Sequence, residues 1–300
     1  MPPRGGRPAG FTSLPVASRT LPADGEVIRL TTTGPGPKRP RRRYLLGAVA
    51  MALGAIVAYA GNLSERVFPT EPVAGIPALK KTDDGELLHW DQLKEVTLHV
   101  DPSLKVLGDG VEEAVAHGFG AWIESGEDLP SIRFEHSKKP NAQPKRDNQN
   151  VISYGPIEVP GHEGDLAITI AYSNPKTGEI VEADIILNSR HPFQLLDAST
   201  MQSVDAGESC KSGGASSQGC SAGYDVQSVV AHEVGHFLGL GEDFDDPKAT
   251  MFHCTSRCEV HKRGLEASDS ALLGDLYQRV TAVRSNAAGC GQAATTEAVH

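Results

Sequence analysis

Acidic side chains are nearly missing from residues 1 to 60, two against nine Lys and Arg, while the remaining 240 positions carry 36 acidic and 19 basic residues. The larger part is therefore strongly acidic and lacks the basic footprint that a nucleic-acid binder needs, which excludes that class. Aromatics are scarce at 5%, and no cysteine precedes Cys210. Long apolar runs are lacking except for one, which excludes a multi-span membrane protein. The 39% hydrophobic and 22% charged content excludes wholesale disorder.

What is present divides the chain. Residues 1–43 are rich in Pro, Gly and Arg without apolar periodicity and end in Lys38-Arg39-Pro40-Arg41-Arg42-Arg43. They read as a disordered basic leader. Residues 44–60, YLLGAVAMALGAIVAYA, are uncharged over 17 positions, the lower limit for a spanning helix. The basic cluster on its N-terminal side places the leader in the cytoplasm and the rest outside. Two readings stay open: a retained signal anchor, or a signal peptide cleaved after Ala58-Tyr59-Ala60. Both export the remainder. All five cysteines lie in that exported part, where disulfides persist. Cys210 with Cys220 and Cys254 with Cys258 would each close a short loop, and an odd thiol is left over.

Residues 61–91 show no period and suit a linker or short prosegment. Regular structure is expected from 92. Strands are read at Val96–Val100, Ser131–Ser137, Asn150–Gly155, Leu166–Ser173 and Glu179–Asn188, and Val111–Glu124 has helical spacing that puts Phe119 and Trp122 in the core. After a Ser/Gly/Cys-bearing stretch, Asp225–Leu240 reads as a helix with Asp225 as its N-cap.

That helix contains His232-Glu233-Val234-Gly235-His236. Residues four apart share one helix face, so both imidazoles can converge on one metal ion with Glu233 beside it. Zinc fits two nitrogen ligands plus one more protein ligand and an open position. It would bring a bound water's pKa towards 7, and Glu233 would accept the proton as general base. Gly239 can end the helix in the left-handed conformation and turn residue 242 back to the metal.

HEVGHFLGLGE resembles the H-E-x-x-H-x-x-G-x-x-H signature of the metzincin zinc endopeptidases, in their matrixin-like (peptidase M10-type) branch. Ala249-Thr250-Met251-Phe252 resembles that family's Met-turn, and LAITIAYSNPKTGEIVEADIILN its fourth and fifth strands. The likeness covers about residues 90 to 282. It implies an α+β fold, a twisted, mostly parallel five-stranded sheet packed with three helices, in a catalytic domain over 92–282 followed by a tail over 283–300. It also implies a polypeptide substrate extended along an edge strand near Ile168–Ser173, and a monomer.

The departure is position 242, where Glu stands in place of the usual third His. Glu242 is the expected third ligand by register, with Asp243 and His253 as alternatives, and a carboxylate there makes the bound water a little less acidic. His162, Glu163 and Asp165 could hold a Ca2+ or a second structural Zn2+. The two Cys and two His of 253–261 are a rival zinc cluster, a disulfide being the commoner fate of such a pair outside the cell. The expected product is an exported zinc-dependent endopeptidase; the alternative is an inactive binding or surface-assembly module of the same fold.

Overall fold

The computed structural model describes residues 29–30, 64–68, 79–126, 128–138, 143–197 and 223–290. Its central sheet has the order β1-β4-β3-β5-β7-β6-β2, where β1 is Arg29–Leu30, β2 Ser64–Phe68, β3 Glu95–Val100, β4 Ser131–His136, β5 Asn150–Gly155, β6 Ala167–Ser173 and β7 Ile180–Asn188. The pairs β3/β4, β3/β5 and β5/β7 are parallel and β6/β7 antiparallel, which makes the five strands β3 to β7 the expected mostly parallel sheet. β1 and β2 add an antiparallel strand at either edge. Phe193–Gln194 (β8) and Tyr224–Asp225 (β9) form a separate small ladder.

Three helices, α1 Val111–Ile123, α2 Val226–Phe237 and α3 Ala267–Cys290, complete an α+β domain. Alternation along β6 explains its two-sided burial. Ala167 and Ala171 join the main core with α1 and α2, while Ile168, Ile170 and Tyr172 pack with Ile157 and Ile186 on the other face. Small alanines on the inner face let α2 approach the sheet closely. Trp122 of α1 is fully buried, and its Nε1 donates to the Ala231 carbonyl at 2.6 Å. That bond fixes the roll of α2 and hence the direction of its histidines.

Three expectations need amendment. The linker assigned to 61–91 already belongs to the fold in its second half: Leu88 and Trp90 are buried, and Trp90 Nε1 donates to the Phe237 carbonyl at 2.7 Å. Its charge and turn residues masked these few apolar anchors, which have no period. The last helix runs on to Cys290, past residue 282, where the domain was expected to give way to a tail. Finally, β6 is not the outermost strand, because β2 pairs along it from Ser64↔Ser173 to Phe68↔Thr169. The two residues of β1 lie inside the leader expected to lack regular structure. The rest of that leader, the apolar run 44–60, Cys210 and Cys220 lie outside the described residues. No helix among the described residues is long and apolar enough to cross a membrane.

Candidate metal centre

The centre begins with how α2 starts and stops. Asp225 caps the helix, its Oδ2 accepting from the Ser228 amide at 2.9 Å, and Arg263 clamps the same carboxylate with two bonds of 2.6 and 2.7 Å. At the other end, the Leu240 amide donates to Gly235 O and the Gly239 amide to His236 O, a Schellman closure with Gly239 at φ 101°. A β-carbon at 239 would lie 2.2 Å from the Leu88 carbonyl oxygen. Only glycine fits there, and the turn carries Glu242 back over the helix.

His232, His236 and Glu242 consequently point ligand atoms at one another, all within 4.8 Å. Glu242 Oε1 is 3.2 Å from His236 Nε2, and Oε2 is 3.4 Å from His232 Nε2. Each imidazole is oriented from behind. His232 Nδ1 donates to the Thr250 carbonyl at 2.8 Å and His236 Nδ1 to the Leu240 carbonyl at 3.0 Å. Since a carbonyl only accepts, both Nδ1 atoms carry protons and both Nε2 atoms face the carboxylate. Asp243 turns away, its Oδ1 accepting from the amides of Asp245 and Asp246. The ring of His253 packs on Phe244 and Phe252.

Electrostatics shows what this donor set requires. Burial opposes the charge on Glu242, yet His232 and His236 outweigh it and hold the carboxyl well below its ordinary range. His236 is likewise opposed by burial, and the Glu242 carboxylate raises it. Glu242 Oε2 is nevertheless a buried oxygen without a hydrogen-bond partner. Two imidazole nitrogens and an anion converging in a largely buried site call for positive charge, supplied by protons or by a metal ion. The N, N, O set fits zinc with one position open.

Glu233 lies beside the ligands and is buried; burial pushes its carboxyl up, against the pull of His236 and His232. The Thr169 hydroxyl of β6 donates to Glu233 Oε2 at 2.6 Å. Below, Met251 is fully buried, and its Sδ would lie 2.1 Å from a β-carbon at Gly235, so the motif's glycine is the space that the methionine loop needs. Asp269 of α3 accepts from the amides of Thr250 and Met251 and so supports the carbonyl that orients His232.

Thr169 and Asp269 had not been read from the sequence as part of the centre. The available signal for Thr169 was a hydroxyl between Ala167 and Ala171 on the core-facing side of a strand. Asp269 gave none, because its role is to satisfy backbone amides. The other residues singled out lie elsewhere. His162 Nδ1 contacts Asp165 Oδ2 at 2.7 Å and Glu163 accepts from Gly161, with no third ligand converging among the described residues. Cys254 and Cys258 are disulfide-bonded, and Glu259 accepts from Thr255 and Ser256.

The matrixin model of the M10 peptidases matches residues 89–278, well over half of the chain. No curated protein matches it.

Proposed function

The chain belongs to the matrixin family of metallopeptidases, and from that premise we propose that it is an exported zinc-dependent endopeptidase whose general base is Glu233. The observation that carries this reading is the convergence of ligand atoms of His232, His236 and Glu242 to within 4.8 Å of one another around a buried carboxylate. His232 and His236 through Nε2 and Glu242 through its carboxylate would hold the ion. When bound, zinc supplies Lewis acidity and makes water a nucleophile near neutral pH.

The chain's own residues do the rest. Thr169 holds Glu233 Oε2 in place, which leaves Oε1 to take the proton of the attacking water and pass it to the leaving amine. Burial, which raises the Glu233 carboxyl, suits it to carry a proton between those steps. Thr250 and Leu240, through their carbonyls, keep both imidazoles in the tautomer that presents Nε2. The disulfide of the Cys254–Cys258 loop suits an oxidising compartment, in keeping with export.

The test is hydrolysis of an unfolded polypeptide such as casein by the full chain, with zinc measured per chain. Chelation should abolish cleavage and zinc restore it, and Glu242→Ala should lower zinc content. Cleavage that survives chelation, or full zinc occupancy in Glu242→Ala, would contradict the assignment.

A further inference from the structure

The chemistry proposed above uses the carboxylates and imidazoles of the centre but no fixed positive charge, and one lies close by. Among the described residues Lys262 is the only lysine or arginine that is buried, at 2% exposure. It belongs to the short helical turn His261–Arg263, which packs against α2. Its Nζ donates to the Phe252 carbonyl. That carbonyl is part of the methionine loop, and the loop is paired with the residue that follows the third ligand. Asp243 bridges Phe252, its amide donating to Met251 O at 2.7 Å while the His253 amide donates to Asp243 O at 3.0 Å. The ammonium is thus fixed against the short ladder that leads out of Glu242.

Four carboxylates bear on it, Glu259 most strongly, then Glu242, Asp269 and Glu233. Three of these also answer to neutral donors. Glu259 accepts from the Thr255 hydroxyl and the Ser256 amide, Asp269 from the amides of Thr250 and Met251, and Glu233 from the Thr169 hydroxyl. Glu242 faces only the two imidazoles and this distant charge. Burial pulls the ammonium down from 10.5 to about 8, which leaves it charged at neutral pH.

A buried charge acts well beyond contact distance, because the effective dielectric constant around it is about 20 rather than that of water. A carboxylate in place of a neutral imidazole lowers the charge of the centre by one, and the buried ammonium raises it by one. We propose that Lys262 is a positioning residue of the metal centre, a fixed counter-charge that offsets the anionic ligand Glu242. The inference rests on the zinc peptidase reading given above. Lys262 returns the centre to the balance of three neutral donors, which favours loss of a proton from water held there. It does so against the metal's own affinity, since like charges repel.

That opposition gives the test its sign. Lys262→Gln removes the charge and keeps an N–H donor for the Phe252 carbonyl, whereas Lys262→Met removes both. The zinc Kd of the full chain is measured by competition with a chromophoric chelator, kcat and KM with an internally quenched unstructured peptide, and thermal midpoints check the fold. Both variants should bind zinc about tenfold more tightly than the parent and lose about tenfold in kcat at pH 7 with KM unchanged. A lysine that only holds the loop would give weaker zinc binding in Lys262→Met and parent values in Lys262→Gln. That result, or a zinc Kd unchanged in both, overturns the proposal and leaves the peptidase reading standing. Tighter zinc in both variants with no hydrolysis by any chain, the parent included, overturns the peptidase reading and leaves Lys262 as the counter-charge of a metal site. If the methionine variant fails to fold, the sign of the change in zinc Kd in Lys262→Gln decides alone.

Discussion

Glu242 places a negative charge beside two imidazole nitrogens, and that charge is balanced either by protons on the imidazoles or by a metal ion. Thr169 is the less visible half of the chemistry. A hydrogen bond to a charged group contributes about 1.5–3 kcal/mol, so Thr169→Val should lower kcat by roughly ten- to a hundredfold at unchanged zinc content, with Thr169→Ser recovering most of it. Unchanged kcat in the valine variant would reduce Thr169 to a packing residue. Asp184 supplies a pH prediction away from the metal. Burial pushes its carboxyl from 3.8 up to about 7, although the amides of Lys145 and Val151 donate to it. The folded state thus binds a proton that the unfolded chain has released, and stability falls as pH rises from about 4 to about 7. Thermal midpoints across that window should show Asp184→Asn gaining on the parent as pH increases; a constant difference would contradict the shift.

At the scale of elements, α2 is defined by what surrounds it as much as by its own periodicity. Its N-cap and its glycine stop were legible, because Asp225 and Gly239 stand at the spacings such structures require, and the closeness of Met251 only through the resemblance of Ala249-Thr250-Met251-Phe252 to a Met-turn. The five strands β3 to β7 were legible from alternation. The packing of Leu88 and Trp90 was not, since two anchors in a polar stretch have no period to detect. The pairing of β2 on β6 was equally hidden, because edge addition is made by backbone groups that every sequence possesses. Gly239→Ala tests the turn: a positive φ and a carbonyl at 2.2 Å should together cost at least about 2 kcal/mol. Zinc retention should fall with it, because the Leu240 carbonyl orients His236. Gly274→Ala, in α3 with open space around it, should instead stabilise by about 0.5–1 kcal/mol. Denaturant midpoints of opposite sign check the pair.

For the whole molecule, charge asymmetry and fold bear on one question of topology. A spanning segment over residues 44–60 would put Arg29–Leu30 and β4 on opposite sides of a membrane, so β1 and the span exclude one another. Two residues of edge pairing contribute about 0.5–1.5 kcal/mol per hydrogen bond, whereas each large apolar side chain removed from water contributes about 1.5–3 kcal/mol. On that comparison the export proposed above is favoured over the β1–β4 pairing. Externally added protease should reach residues 79–290 in intact cells or spheroplasts; full protection there would contradict export. The clamp on Asp225, the Gly239 turn and the Thr169 hydroxyl all bear on Glu233 and the candidate metal site beside it. The most direct measurement is therefore the rate of peptide hydrolysis by the Glu233→Ala chain at zinc content equal to the parent. The account predicts one zinc per chain in both and cleavage lost in the variant, and undiminished cleavage by Glu233→Ala would contradict it.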